Sequence, residues 1–128
     1  MPTAIRPTAL ILALGLMAGC TTAPTKQTFE QYAGPPIEGF TYLGHYNGFR
    51  TLGGLDLVIW TTINDAYLIK VIPPCVNLPF ANKVDLTSAA RTVTRSVDWV
   101  IVGRDRCRID TIRHIDYRAM KKAGIAGP

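Results

Sequence analysis

The sequence lacks the residue patterns of the common catalytic and cofactor-binding sites. Only two of its 128 residues are histidine, His45 and His114, and neither has a nucleophile and a carboxylate at the spacing of a Ser-His-Asp or Cys-His site. No glycine-rich phosphate loop, EF-hand loop or zinc-ligand spacing is present either. The sequence therefore predicts no cofactor and no metal, and it favours a non-catalytic protein.

Hydrophobic runs long enough to span a membrane are also missing. The apolar run at residues 9–18 is too short for a transmembrane helix. It follows a short start that carries Arg6 and it precedes small residues, which is the layout of a secretory signal peptide. An N-terminal core helix is the alternative, but Pro2, Pro7 and the Thr/Pro-rich stretch behind the run favour a cleaved leader.

The end of this leader carries the motif LMAGC at residues 16–20, which resembles the lipobox of bacterial lipoproteins. The resemblance implies cleavage before Cys20 and acylation of Cys20 as the first mature residue. It also implies an outer-membrane protein that faces the periplasm, because Thr21 and Thr22 differ from the Asp-type retention signal of inner-membrane lipoproteins. We therefore predict a signal peptide at residues 1–19.

The remaining chain is predicted to divide into a tether and a single domain. Residues 20–36 are rich in Thr, Pro and Gln, and we interpret them as the lipidated N-terminus and a flexible tether. Phe29 and Tyr32 could form a short helical turn that docks on the domain, so this boundary is soft. Residues 37–128 form the predicted β-rich domain.

The mature chain is mildly basic. Without Arg6 it carries 13 basic and 9 acidic side chains, a net charge of +4. A charge of this sign favours an anionic neighbour such as lipid headgroups or cell-wall polymer. It is too small to indicate nucleic acid, and export argues further against such a partner.

The three cysteines become an even pair once Cys20 is assigned to the lipid anchor. Cys75 and Cys107 are predicted to form a disulfide, because the periplasm is oxidising. Closing the loop of about 30 residues between them would stabilise a small domain by about 3–4 kcal/mol. Two free buried thiols, or a metal or redox site, are the alternatives, although neither cysteine belongs to a C-x-x-C pair.

The pattern from residue 37 onward is typical of strands. Asn47-Gly48 between aromatic residues predicts a hairpin, and the β-rich runs 55–63 and 66–72 predict a second one. Apolar side chains occupy both faces of this second hairpin, which favours a curled sheet with something packed outside it, or a dimer. Pro73-Pro74 ends the run.

The C-terminal part predicts one more hairpin and a short helix. A strand at 92–102 would place Val97, Trp99 and Ile101 in the core. The following strand, 107–115, places Ile109 out of phase with Ile112, which predicts a β-bulge near Asp110. The helical turns after it are predicted to start at the N-cap Asp116 and stop at Gly124. The predicted fold is mainly β, a curled antiparallel sheet or partly open barrel of five to six strands with a short C-terminal helix and one disulfide.

Several short motifs are spread over residues 49–116 of this predicted domain. They are Leu52-Gly53-Gly54 before the strand Val58-Ile59-Trp60-Thr61, then Tyr67-Leu68, Cys75 with Leu78, Asp98, and Cys107 with Ile109 and Ile112. This pattern resembles a family of small bacterial lipoproteins catalogued only as a domain of unknown function. The resemblance implies an exported, disulfide-linked domain and implies no activity.

Positive charge is concentrated at the C-terminus. Residues 104–122 carry seven Lys or Arg against three Asp. Alternation of Arg104, Arg106 and Arg108 would form a basic stripe, with Arg113 further along, able to meet phosphate or carboxylate groups. An ordinary solvated strand edge is the alternative interpretation, because charged edge residues also prevent aggregation.

We therefore expect a binding or structural module that contacts a partner protein, anionic lipid or cell-wall polymer through the basic residues. The alternative function is a periplasmic hydrolase or accessory enzyme that uses Asp98, Asp110 or His114. A pocket lined by these three side chains would favour the enzyme, whereas a flat basic face would favour the binding module.

The lipobox yields a first testable prediction. Cys20→Ser removes the thiol that would be acylated, so the variant should keep its leader and leave the outer-membrane fraction. Cell fractionation and the intact mass of the purified protein measure both effects. Normal processing of the variant would contradict the assignment of Cys20 as the lipidated residue.

Overall fold

The computed structural model describes residues 23–125. The predicted leader and Cys20 lie outside this range, so lipidation stays a prediction. Two helices, nine strands and one 3-10 turn make up the described part. Their bounds are α1 Lys26–Tyr32, β1 Ala33–Ile37, β2 Gly39–Thr41, β3 Gly48–Thr51, β4 Asp56–Trp60, β5 Ala66–Val71, the 3-10 turn Leu78–Phe80, β6 Asp85–Leu86, β7 Thr92–Thr94, β8 Trp99–Val102, β9 Asp105–Ile115 and α2 Tyr117–Lys122.

The main sheet is an antiparallel half-barrel organised around the long strand β9. Its path is β3-β4-β5-β9-β8-β6, and β1 pairs with the distal part of β9. Strands β2 and β7 form a separate two-stranded sheet. The predicted fold, a mainly β curled sheet with a short C-terminal helix, is confirmed.

Each face of the half-barrel packs its own hydrophobic core. The concave core is the larger and includes Leu57, Ile59, Ile69, Leu78, Val93 and Ile112. The convex core lies under the two helices and includes Phe29, Val58, Trp60, Leu68, Ile115 and Met120. Apolar side chains on both faces of β4 and β5 predicted this arrangement, and the packing partners outside the sheet are α1 and α2.

A β-bulge in β9 sets the direction of its side chains. Lys70 pairs with Thr111 whereas Val71 pairs with Ile109, so Asp110 is the extra residue on β9. The bulge resets the two-residue alternation, and both Ile109 and Ile112 are fully buried in the concave core as a result. The bulge predicted near Asp110 is confirmed.

The N-terminal boundary differs from the predicted one at residue 37. Phe29 of α1 is fully buried and its ring meets the edge of Trp60 at a centroid distance of 5.9 Å. The amide of Asp116 donates to the carbonyl of Tyr32 at 2.8 Å. The segment 26–36, predicted as flexible tether, therefore belongs to the fold, because the buried ring of Phe29 outweighs the polar composition around it.

The single strand predicted at 92–102 is interrupted. Residues 95–98 turn between β7 and β8, with Ser96 in the left-handed region at φ 62°. This turn shifts the side-chain phase of β8. Val100 and Val102 are both buried, whereas Val97 is 60% exposed. The prediction that Val97, Trp99 and Ile101 lie in the core is therefore wrong. Trp99 and Ile101 are half-buried on the convex face of the sheet.

The hairpin predicted at Asn47-Gly48 is also wrong. Strand β2 pairs with β7 rather than with β3, and β3 pairs with β4. Gly39 lies so close to the backbone of Val93 that no side chain fits there. Phe40 then stacks on Tyr67 at 4.2 Å. This long-range packing outweighs the local turn preference of Asn-Gly.

The predicted disulfide and C-terminal helix are both confirmed. Cys75 is bonded to Cys107, with 32 residues of separation in sequence, which joins the loop after β5 to β9. Asp116 caps α2 by accepting from the amide of Ala119 at 3.1 Å. Gly124 ends the helical turns with φ 77°.

Removing the disulfide should destabilise the domain. Cys75→Ala/Cys107→Ala frees a loop of this length in the unfolded chain, so the free energy of unfolding should fall by about 3–4 kcal/mol. Urea denaturation followed by circular dichroism measures the change. Two free thiols in the denatured, unreduced wild-type protein would contradict the bond itself.

Candidate functional site

A tryptophan beneath two arginines marks the most distinctive surface of the molecule. Trp99 pairs with Arg108 across the β8–β9 hairpin. The guanidinium carbon of Arg108 lies 4.4 Å from the centroid of the Trp99 ring, and that of Arg106 lies 5.1 Å away. Both distances fall within the range of cation–π interactions.

The loop after β5 completes a shallow cavity beside this cluster. The cavity has a volume of about 250 Å³, and its lining consists of Ile72, Pro73, Pro74, Trp99, Arg106 and Arg108. We call these six residues the Trp99 surface. The amide of Ile72 donates to the carbonyl of Arg108 at 2.8 Å, so the backbone holds the loop against β9. The result combines an aromatic floor, an apolar rim and two cations.

The two cations of the Trp99 surface have no acidic partner in the part of the chain that the structure describes. Arg106 and Arg108 take part in none of the ion pairs there. Arg108 donates from Nη1 to the carbonyl of Ser96 at 3.3 Å. Asp105, the acidic residue next to Arg106 in sequence, accepts a hydrogen bond from the amide of Asn77. The guanidinium groups therefore keep donors and positive charge for an anionic group.

The other two predicted arginines have different surroundings. Arg104 lies in the exposed turn between β8 and β9, next to Gly103, whose φ is 59°. Arg113 donates from Nε to the carbonyl of Gly34 at 2.8 Å and from Nη2 to that of Ala33 at 3.2 Å. Arg113 thus fastens β1 to β9. Of the four predicted candidate arginines, Arg106 and Arg108 share one surface, and Arg104 lies at its tip.

Asp98 and Asp110, the two aspartates of the alternative enzyme site, do not meet, and Asp116 lies apart from both. Asp98 is 5% exposed and accepts hydrogen bonds from the amide of Thr94 at 2.7 Å and from Thr87 Oγ1 at 2.8 Å. The carbonyl of Asp98 accepts from the amide of Ile109, so Asp98 lies beside that residue of β9. Asp116, which caps α2, follows Ile109 by seven residues, so Asp98 and Asp116 are roughly 23 Å apart. Asp110 lines a different shallow cavity beside Lys70.

The two histidines lie near Asp65 at another end of the sheet. His114 Nε2 is 3.8 Å from Asp65 Oδ1, and its ring lies 5.2 Å from that of Tyr67. His45 lines a cavity of about 230 Å³ together with Asp65 and Tyr67. Burial, and next the Asp65 carboxylate, raise the pKa of Tyr67 above its ordinary value. This hydroxyl therefore stays protonated at neutral pH.

Sequence reasoning missed Trp99, Ile72 and Pro73-Pro74 as surface residues. Trp99 was predicted in the core because it fitted the apolar alternation of an uninterrupted strand. Its outward direction follows from the turn at 95–98. The repeated arginines at 106 and 108 were the only available signal, and they gave no indication of an aromatic partner across the hairpin.

Comparison with known proteins places this molecule in a family. A curled β domain with one disulfide and two helices on its convex face is the class that the structure defines. A protein-family model, described as a family of unknown function (DUF6491), matches residues 3–126. The chain therefore belongs to this family. Searches of curated proteins and of solved structures found no match.

Neither α1 nor α2, nor any other helical stretch within residues 23–125, has the length and apolar composition needed to cross a membrane.

Asp98 provides a test of its structural role. Asp98→Ala leaves the Thr94 amide and the Thr87 hydroxyl without their acceptor, so the free energy of unfolding should fall by about 3 kcal/mol. Asp116→Ala, which removes a helix cap near the surface, should cost about 1 kcal/mol. Thermal and urea unfolding compare the two variants. A wild-type stability for Asp98→Ala would contradict the structural assignment.

Proposed function

We propose that this protein is a lipid-anchored, periplasm-facing envelope protein whose domain binds anionic groups without catalysing a reaction. The observation that carries the proposal is the pair of guanidinium groups over Trp99 with no acidic partner in the described structure. The anchor itself rests on the predicted lipidation of Cys20. Phosphate and carboxylate groups are the chemistry that such a pair recognises.

The geometry around Arg106 and Arg108 supports binding rather than an edge that is merely solvated. Edge charges that prevent aggregation extend into water, whereas both guanidinium groups here lie against the indole of Trp99. Contact with the indole restricts their rotamers before a ligand arrives. Less conformational entropy is then lost on binding, which favours affinity.

A hydrolase or accessory enzyme at Asp98, Asp110 or His114 is the alternative function. The hydrogen bonds of Asp98 argue against it, because both carboxylate oxygens already accept from protein donors. Asp110 and His114 line separate cavities. No acid and base among these three residues share a site where a substrate bond could be cleaved.

Charge reversal tests the binding function. Arg106→Glu/Arg108→Glu removes two charge-assisted contacts, and affinity for inorganic polyphosphate should fall by about a hundredfold. Isothermal titration calorimetry of the purified protein measures this affinity. Circular dichroism should show an unchanged fold, since both side chains point outward.

A matched variant controls for net charge. Arg118→Glu/Lys122→Glu changes the net charge equally, but these α2 residues lie about 30 Å along β9 from Arg106. Its affinity for polyphosphate should change by about twofold because charges at that distance are screened by salt. Equal losses in both variants would show that only overall charge matters, and would contradict a specific Trp99 surface.

A further inference from the structure

The Trp99 surface lies on the same face and at the same end of the sheet as the start of α1. Lys26, the first residue of α1, contacts Asp56 with Nζ 3.0 Å from Oδ2. Asp56 opens β4 and pairs with Lys70 near the end of β5. Two residues further, Ile72 donates its amide to the carbonyl of Arg108. Lys26 and Arg108 therefore occupy the same end of the half-barrel.

Their common face follows from the register. Paired residues of an antiparallel sheet point to the same side, and Asp56, Lys70 and Thr111 are joined by pairing. Asp56 shares the convex side with Val58, which packs under α1. Arg108 lies on that same side of β9, because Cys107 and Ile109 point into the concave core. The helices cover one part of the convex face and leave the Trp99 surface bare.

The chain length between Cys20 and α1 limits how far the domain can lie from its anchor. Six residues, 20–25, precede Lys26, and even fully extended they span about 20 Å. Asp56 is level with Thr111 of β9, two strand spacings or about 10 Å across the sheet, and Arg108 lies three residues from Thr111 along β9, so Asp56 and Arg108 are about 14 Å apart. An acylated Cys20 therefore keeps the Lys26 end of the sheet, and with it the Trp99 surface, close to the bilayer.

The chemistry of this end matches the boundary of an anionic bilayer. Arg106 and Arg108 supply charge for phosphates, and Trp99 is a side chain that prefers the headgroup region. Apolar side chains lie beside them, since Ile72, which is 42% exposed, lines the same cavity together with Pro73 and Pro74. A soluble anionic polymer would satisfy only the arginines, whereas a bilayer also accepts the apolar rim.

We infer that the Trp99 surface docks on the anionic phospholipid bilayer that holds the acylated Cys20, so that the domain lies on the membrane with the convex end of β8–β9 against the headgroups. This inference rests on the proposed function, and it commits that binding surface to lipid. Phosphodiester headgroups contact the arginines, and Trp99 lies at the interface.

The two tryptophans allow a direct test. The full chain is expressed with its own leader in a Gram-negative host, acylation is verified by mass, and the protein is reconstituted into phosphatidylcholine vesicles with or without phosphatidylglycerol. Some lipids carry bromine near the headgroup, which quenches tryptophan fluorescence at short range. We expect quenching in the phosphatidylglycerol vesicles. Trp99→Phe should abolish it, because Trp60 is fully buried under the helices.

Two charge variants define the role of the arginines. Arg106→Gln/Arg108→Gln should reduce the ratio of docked to undocked protein by about 30-fold. Arg118→Gln/Lys122→Gln removes the same charge from α2 and should leave quenching unchanged. Added salt should weaken quenching in the wild type.

The outcomes separate this inference from the proposed function. An unacylated Cys20 would overturn both the anchor and the docking. Acylated protein that is not quenched, but whose Arg106 and Arg108 still bind polyphosphate, would overturn the lipid docking and leave anion binding intact. Absence of both quenching and polyphosphate binding would overturn the inference and the proposed function together.

Discussion

The bulge at Asp110 is the constraint on which the rest of the structure depends. Strand β9 pairs with β5, β8 and β1, so any shift in its side-chain phase changes both faces of the sheet. One extra residue places Cys107, Ile109 and Ile112 together in the concave core. Without it, the segment before Asp110 would turn over, Cys107 would face away from Cys75, and the arginines would point inward.

The same alternation produces the contrast between the two ends of the convex face. Beyond the bulge, Ile115 is apolar and is covered by the helices together with Trp60. Before the bulge, Arg106 and Arg108 occupy the outward positions, and neither of the two described helices covers them. The uncovered end therefore stays polar and cationic, and Trp99 is the aromatic residue on which those cations rest.

One disulfide and the hydrogen bonds of Asp98 hold this uncovered β8–β9 hairpin against the rest of the domain. The disulfide from Cys107 to Cys75 fastens the inner side of β9 to the loop after β5, which carries Pro73-Pro74. Asp98 fastens β8 through Thr87 and Thr94. A surface at the margin of a small sheet would otherwise fray, since few buried contacts support it. The disulfide and the hydrogen bonds of Asp98 keep Trp99 and the two arginines at constant relative positions.

The sequence by itself determined the elements that depend on local or pairwise chemistry. These are the β4–β5 hairpin, the Cys75–Cys107 pair, the bulge near Asp110, and the helix that Asp116 caps. The hairpin, the bulge and the helix are each indicated by a pattern within a few residues of the sequence. The disulfide is indicated by the number of cysteines that remain once Cys20 is assigned to the lipid anchor. The lipobox ending in Cys20 is of the same kind, and its prediction concerns residues outside the described structure.

Only the tertiary structure decided the features that depend on partners distant in sequence. Phe29 joins the fold because its ring packs against Trp60, which also contacts Tyr117 of α2. Strand β2 pairs with β7 because the backbone at Gly39 fits against Val93. The outward direction of Trp99 follows from a turn held by Asp98. Local propensity contains no information about such contacts, and burial of large side chains outweighs it in free energy.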